Sequence, residues 1–348
     1  METRHRVLVD DARDLAAIED NAVELVVTSP PYPMIEMWDD LFESLNPAIG
    51  EALASGAGKA AFDAMHEALQ PVWAELKRVL VEGGIACINI GDATRTLGDS
   101  FRVYPNHARI VDAFERLGFE PLPEILWRKP SNSATKFMGS GTLPPNAYVT
   151  LEHEYILVFR NGSHRRDFEP KAKRRYEAAY FWEERNTWFS DVWTGLAGEL
   201  QALDDDELRD RSGAFPFEVP YRLINMYSVY GDTVLDPFWG TGTTSLAAMV
   251  AARNSIGYEL DEEFLERFDQ QAKTAPAFAS DVLETRLADH RSFVENAREG
   301  GREFKYEASQ YDFPVTTKRA REIRLYDIDR IEETDSGYRV VHDPINSK

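Results

Sequence analysis

The run Thr233-Val234-Leu235-Asp236-Pro237-Phe238-Trp239-Gly240-Thr241-Gly242-Thr243-Thr244 reads as a short apolar strand, a glycine-bearing turn and the start of a helix from about Thr244 to Ala251. Glycines let a backbone approach a ligand closely, and the helix N-terminus contributes the positive end of its dipole. A lone Gly-x-Gly is weak. It gains weight from Ile256-Gly257-Tyr258-Glu259, a second strand that ends in a carboxylate about 20 residues past Gly240, the spacing at which an acid meets ribose hydroxyls. Strand, turn, helix and strand in this order predict an α/β fold with a mostly parallel sheet that binds a nucleoside-bearing cofactor.

Working outward, Val23-Glu24-Leu25-Val26-Val27 is a strand that runs into Ser29-Pro30-Pro31-Tyr32. Two prolines fix two φ angles and remove two backbone donors, so the carbonyls around them have no ladder to join. With the Ser29 hydroxyl and the Tyr32 ring beside them, such a loop can hold a planar amine. The amine lies against the ring, and its N–H groups donate to Ser29 and to the Pro30 carbonyl. Thr28-Ser29-Pro30-Pro31-Tyr32 resembles the catalytic motif of the exocyclic-amino DNA methyltransferases in its N4-cytosine form. Asp236-Pro237-Phe238, with the Thr243-Thr244 pair, resembles the cofactor motif of the same family.

The resemblance covers roughly residues 5 to 270 and implies a Rossmann-like, S-adenosylmethionine-dependent methyltransferase fold with helices on both faces of a mixed, mostly parallel sheet. It implies Ser29, Pro30, Pro31 and Tyr32 as catalytic. Asp236, Pro237, Phe238, Gly240, Gly242, Thr243, Thr244 and Glu259 are implied at the cofactor. Asp11 joins them through Asp10-Asp11-Ala12, which departs from the family's Gly-Asp-Ala at its first residue, and Phe215-Pro216 joins them through a Phe-Pro turn at the methionine end. The catalytic motif precedes the cofactor motif, an order that resembles the circularly permuted β group. Residues 1–160 are then the catalytic half, 161–212 the target-recognition region, 213–275 the cofactor half and 276–348 a helical, then β-rich, appendage.

The segment 161–212 has a composition of its own. Arg165, Arg166, Lys171, Lys173, Arg174 and Arg175 cluster, interleaved with Tyr176, Tyr180, Phe181, Trp182 and Trp188. In a chain of net charge -21, with 60 acidic and 39 basic residues, this concentration of cations with aromatics is the local surface expected to meet DNA phosphates. The acidic excess resembles that of proteins from a high-salt cytoplasm, such as those of halophilic archaea, where charge is screened within a few ångströms.

Between these motifs, periodicity predicts a helix over 62–81 closed by Gly83-Gly84 and another from about Asn106 to Leu117. It also predicts a short helix after Asp10, a mobile loop at Ser55-Gly56-Ala57-Gly58 and helices up to Lys273 and from Ala279 to Ala297. Strands are expected at 5–9 and 85–90, and Ile125–Pro130 with Tyr155–Phe159 is expected as the last strand pair of the sheet. Lys129-Pro130-Ser131-Asn132 weakly resembles a further active-site motif. No apolar run reaches membrane-spanning length and no signal h-region is visible, so a cytoplasmic protein is expected. The one cysteine, Cys87, sits in the apolar run Ile85–Ile90 and is a poor nucleophile, which argues against C5-cytosine chemistry.

The expected substrate is double-stranded DNA, the cofactor S-adenosylmethionine, and no metal is called for. The expected partner is a restriction endonuclease acting on the same site, and monomer and homodimer are equally open. Ser29 in place of aspartate favours cytosine N4 over adenine N6, and Pro33-Met34-Ile35-Glu36-Met37-Trp38-Asp39 resembles the subgroup that reads the palindrome CTAG. A nicotinamide-dependent oxidoreductase and a DNA-binding protein with a vestigial cofactor site also remain open.

Overall fold

Alternation along Leu25-Val26-Val27 divides the interior in two. Val26 turns to one face of the sheet, with Ala86, Ile88, Leu157 and Phe159. Leu25 and Val27 turn to the other, with Cys87, Ile156 and Val158. A strand buried on both faces needs covering layers on both, and the sequence supplies them as helices. The computed structural model describes residues 1–129, 138–196 and 215–346.

The strands are β1 (Glu2–Val9), β2 (Val23–Thr28), β3 (Leu80–Ile90), β4 (Ala93–Leu97), β5 (Ser100–Tyr104), β6 (Phe119–Arg128), β7 (Met138–Gly139), β8 (Ala147–Tyr148), β9 (His153–Asn161), β10 (Val192–Trp193), β11 (Thr233–Asp236), β12 (Asn254–Glu259), β13 (Tyr306–Glu307), β14 (Pro314–Val315), β15 (Tyr326–Thr334) and β16 (Gly337–Pro344). A ten-stranded sheet has the order β10-β6-β9-β3-β2-β11-β12-β1-β16-β15. Its centre, β3-β2-β11-β12-β1, is parallel throughout. The helices are α1 (Asp39–Leu45), α2 (Ala48–Ala54), α3 (Gly58–Val79), α4 (Asn106–Arg116), α5 (Lys173–Glu177), α6 (Trp182–Trp188), α7 (Glu218–Tyr227), α8 (Thr243–Val250) and α9 (Glu263–Glu299). Helix α3 buries Met65, Leu69, Val72, Trp73 and Leu76 on one face. Each such side chain contributes about 1.5–3 kcal/mol by leaving water. Helices α7, α8 and α9 cover the opposite face.

The crossover from β2 to β3 passes through α3 to one side, and that from β11 to β12 passes through α8 to the other. Neighbouring strands whose crossovers diverge leave a crevice at their carboxyl ends, where open α/β sheets bind ligands. The Ser29 loop leaves β2 and the Gly240 loop leaves β11 at this point.

Several local expectations are corrected. Turns, not a helix, follow Asp10. The stretch 55–57 is a tight turn between α2 and α3. Gly83-Gly84 lies inside β3 rather than after α3; at Gly83, φ is +74 and an added Cβ would come 2.4 Å from the Arg166 nitrogen, so the close approach of another chain segment requires the glycine. The helices expected on either side of residue 276 are one, α9, with Pro276 inside it. Buried Phe268, Ala272, Ala275, Ala279 and Leu283 run along one stripe across the proline and hold the turns in register. The last hairpin, β15–β16, is built into the sheet, since β16 pairs antiparallel with β1. The strands β6 and β9 are paired as expected, and antiparallel, but short β10 lies outside them at the sheet edge, so they are not the last pair. The acidic segment 204–210 and residues 130–132 lie outside the described residues. Among the described residues, no helix is long and apolar enough to cross a membrane.

Candidate active site

A cavity of about 680 Å³ opens at the carboxyl ends of β1, β2, β11 and β12. Ser29, Pro30, Pro31 and Tyr32 line it together with Asp11, Phe215, Asp236, Pro237, Phe238, Gly240, Thr243, Thr244 and Glu259. Residues from both ends of the chain therefore share one wall. Of the catalytic and cofactor residues named from sequence, Pro216 and Gly242 do not line it. Pro216 accepts a hydrogen bond from the Val219 N–H at the start of α7. Gly242 shapes the turn from behind: its φ is +78, and an added Cβ would lie 2.4 Å from the Phe268 ring.

The Gly240 side has bare backbone and a carboxylate with which a nucleoside could be held. Gly240 has φ +53, and the nearest atom to a Cβ built there is the Phe238 carbonyl oxygen at 4.0 Å, so a ligand can lie against bare backbone. The Glu259 carboxylate accepts from the N–H groups of Gly240 (2.7 Å), Leu260 (2.9 Å) and Asp261 (3.0 Å). It keeps acceptor capacity for a ribose hydroxyl. Burial pushes its pKa up, while these backbone bonds pull the other way. Asp11 faces the same cavity, with its carboxylate 2.6 Å from the Arg13 guanidinium, which holds its pKa below the usual range.

Asp236 lines the cavity and also ties its walls together. It is buried and accepts from the Thr28 hydroxyl (2.6 Å), the Thr244 hydroxyl (2.7 Å) and the Phe238 N–H (3.1 Å). One carboxylate thus ties the end of β2 to the Gly240 loop and to α8. Burial raises its pKa to about 6, against the lowering effect of these three bonds.

On the catalytic side, the Ser29 hydroxyl donates to the Tyr32 hydroxyl (3.1 Å), which donates to Glu154 Oε2 (3.0 Å). The Asn89 amide donates to both Tyr32 Oη and Glu154 Oε2, each at 2.8 Å. Lys129 Nζ lies 2.7 Å from Glu154 Oε1. Burial, followed by the nearby Glu154 charge, raises the Tyr32 pKa well above its ordinary value. Gly91 leaves room for this group, since an added Cβ would stand 3.1 Å from the Tyr32 ring and 3.3 Å from Glu154 Cγ. Sequence reading leaves Glu154, Asn89 and Thr28 without a role. The only available signal was a single carboxylate at the start of the apolar run Tyr155–Phe159. Cys87 is fully buried on β3, and burial drives its thiol pKa up.

The basic segment does not join this site. Arg166 forms a two-bond ion pair with Asp232 (2.7 and 3.0 Å), just before β11. The Asp232 side chain is 0% exposed. Arg174 lies 3.8 Å from the same carboxylate, and Lys173 lies 3.6 Å from Glu177. Asp232 marks the amino ends of the parallel strands, and at about 3.3 Å per residue a strand of six residues separates the two ends by about 20 Å. Arg165, Lys171 and Arg175 are exposed in the same segment. Of these cations, Arg166 and Arg174 are drawn to the amino ends of the strands by Glu24 and Asp232.

Residues 23–271 match the DNA methylase family of N6 and N4 methyltransferases. The chain is 51% identical over 328 residues to the type II methyltransferase M.MthZI of Methanothermobacter thermautotrophicus, covering 94% of this chain and 91% of that protein. It is 52% identical over 271 residues to the type II methyltransferase M.MjaI of Methanocaldococcus jannaschii, covering 75% and 88%. Among solved structures, a Thermus thermophilus protein designated a DNA modification methylase, complexed with S-adenosyl-L-methionine, superposes with a TM-score of 0.61 at 30% identity, covering 78% of this chain and 95% of that one. A proline-fixed loop and a glycine turn, brought to one crevice by a parallel sheet, thus accompany the family's sequence and architecture, and the chain belongs to the DNA methylases that use S-adenosylmethionine.

Proposed function

We propose that the chain methylates N4 of a cytosine flipped out of duplex DNA, within the palindrome CTAG. The observation that carries this reading is the placement of Ser29-Pro30-Pro31-Tyr32 on the same cavity wall as Gly240 and Glu259. A paired N4 is inaccessible inside a duplex, so the base must leave the stack. Tyr32 offers the flipped ring a flat face, and Ser29 Oγ and the Pro30 carbonyl accept its two N4 hydrogens. Those bonds draw the nitrogen lone pair out of conjugation and fix its direction, so the loop works by positioning. S-adenosylmethionine, when bound, supplies an electrophilic methyl. Glu259, Asp11 and the Gly240 backbone would hold its nucleoside, with Phe215 at its other end.

Serine at the loop's first position supports cytosine, and the stretch Pro33–Asp39 supports CTAG by its likeness to that subgroup. The relatives are type II methyltransferases. By that likeness we propose a modification role, with an endonuclease acting on the same site as partner. The test is to incubate the protein with labelled S-adenosylmethionine and duplexes with and without CTAG, digest them to nucleosides and identify the labelled product. N4-methylcytosine from the CTAG duplex alone is expected. N6-methyladenine would replace the cytosine assignment, and equal label in both duplexes would remove the site assignment.

A further inference from the structure

We propose that Glu154 receives the proton released by the target amine, through a hydrogen-bond path formed by Ser29 and Tyr32. The inference rests on the amine-methylation reading above. An alkylated amine nitrogen carries one proton too many, and the Ser29 hydroxyl next to it is a poor base. Of the other carboxylates lining the cavity, Asp236 is committed to Thr28, Thr244 and Phe238, Asp10, Asp11, Glu259 and Asp261 stand at the ends of β1 and β12, and Asp40 is exposed in the first turn of α1. Among the described residues, Glu154 is the carboxylate hydrogen-bonded to the Ser29–Tyr32 loop.

Three features of the path agree. Its two bonds run in one direction: Ser29 Oγ donates to Tyr32 Oη at 3.1 Å, and Tyr32 Oη donates to Glu154 Oε2 at 3.0 Å. Ser29 Oγ therefore has its lone pairs left to accept from the amine. Asn89 Nδ2, at 2.8 Å from both Tyr32 Oη and Glu154 Oε2, fixes the joint between them. Lys129 lies 2.7 Å from the other carboxylate oxygen and is itself 43% exposed, against 14% for Glu154, so the far end of the path reaches water.

In the transfer step, the amine lone pair forms the N–CH3 bond while the S–CH3 bond breaks and its electron pair stays on sulfur, leaving a neutral thioether. One amine N–H bond then breaks with its pair returning to nitrogen. That proton passes to Ser29 Oγ as the Ser29 proton passes to Tyr32 Oη and the Tyr32 proton to Glu154 Oε2. The carboxylic acid later loses it to solvent. Glu154 acts through Tyr32 and Ser29 and does not touch the base, so it is a positioning residue at the end of a proton path.

The experiment compares wild type, Glu154→Gln, Glu154→Asp and Tyr32→Phe in single-turnover methyl transfer to duplex DNA across pH, in water and in deuterium oxide. Equilibrium binding of S-adenosylhomocysteine and of DNA is measured alongside. Glu154→Gln is expected to lose about 10²-fold or more in transfer, the usual share of general-base help, with both affinities within about twofold of wild type. The acid limb of the rate profile and the solvent isotope effect, present in wild type, should vanish in Glu154→Gln and Tyr32→Phe, and Glu154→Asp should restore part of the rate. Independently of turnover, ultraviolet titration of Tyr32 should show its phenol ionising at lower pH once the Glu154 charge is gone. Retention of the wild-type rate by Glu154→Gln overturns the path, as does a slow Glu154→Gln that keeps the acid limb and the isotope effect. If Glu154→Gln no longer binds S-adenosylhomocysteine, Tyr32→Phe alone decides, since it removes one hydroxyl and keeps the ring. Failure of the wild-type protein to methylate any duplex removes the underlying reading, and is seen before any variant is compared.

Discussion

At the residue scale, Asp236 and Ser29 separate structural from chemical roles within one cavity. Burial raises the Asp236 pKa to about 6 in the fold, from 3.8. The folded protein holds the proton more tightly than the unfolded chain, so the stability linked to this group is complete below pH 3.8 and is lost as pH rises through about 6. Asp236→Asn removes that dependence. The difference in unfolding free energy between wild type and Asp236→Asn should shift against wild type by on the order of 3 kcal/mol between about pH 4 and pH 7, read from denaturant unfolding at each pH. Ser29→Ala should leave the unfolding midpoint and S-adenosylmethionine affinity unchanged while lowering transfer about 10²-fold, because one acceptor that aims the amine is gone. Both residues lie in apolar-to-loop transitions of the sequence. Neither neighbour in sequence says that one is clamped by Thr28 and Thr244 and the other left facing the cavity.

At the element scale, the start of α8 and the basic segment show how packing assigns meaning to motifs. Gly242 is needed because its backbone is left-handed and because Phe268 and Trp239 occupy the space where a Cβ would stand. Gly242→Ala should destabilise by on the order of 3 kcal/mol, combining about 1–2 for the left-handed backbone and about 1–3 for overpacking, as measured by thermal unfolding. Arg166 is an element-level tie: it fastens the chain after β9 to the start of β11. Arg166→Ala removes both short hydrogen bonds from the buried Asp232 carboxylate and leaves it only the more distant Arg174, so it should destabilise by on the order of 3 kcal/mol in the same measurement. A triple charge reversal at the exposed Arg165, Lys171 and Arg175 should leave the single-turnover methylation rate within about twofold of wild type. Charge clustering was legible in the sequence. Its partner, the carboxylate of Asp232, was not, because 66 residues separate it from Arg166.

At the scale of the whole molecule, the sheet is closed on one side by β15 and β16, and the joint is polar. Thr3 Oγ1 bridges the rings of His5 and His342 at 2.8 Å each, and His5 also meets Ser255 at 2.9 Å. Burial, the larger cause, lowers the pKa of His5 to about 3 and of His342 to about 4. The unfolded chain takes up these protons first, so stability is full above pH 6.5 and falls as pH drops from 6.5 towards 4. Hydrogen exchange in β15 and β16 should accelerate over that window, and His342→Gln should flatten the response. This acid sensitivity is opposite in sign to that of Asp236, so the two are separable in one pH series.

The sequence by itself determined the layers and the two loops. A period of two in strands buried on both faces, a period near 3.6 in α3, and the chemistry of proline and glycine at the loops are local properties that any tertiary context must accommodate. The turn at Gly240, the stiff Ser29–Tyr32 loop and the carboxylate at the end of β12 were legible for that reason. Tertiary structure alone decided which polar groups meet across the chain: Thr28 with Asp236, Tyr32 with Glu154, Arg166 with Asp232. It also carried Pro276 through α9 and set β16 beside β1. The physical reason is the same in each case. A buried polar group or an unpaired strand edge must be satisfied by whatever the packed sheet brings near it, and that partner is fixed by the topology of the sheet, not by proximity in the chain.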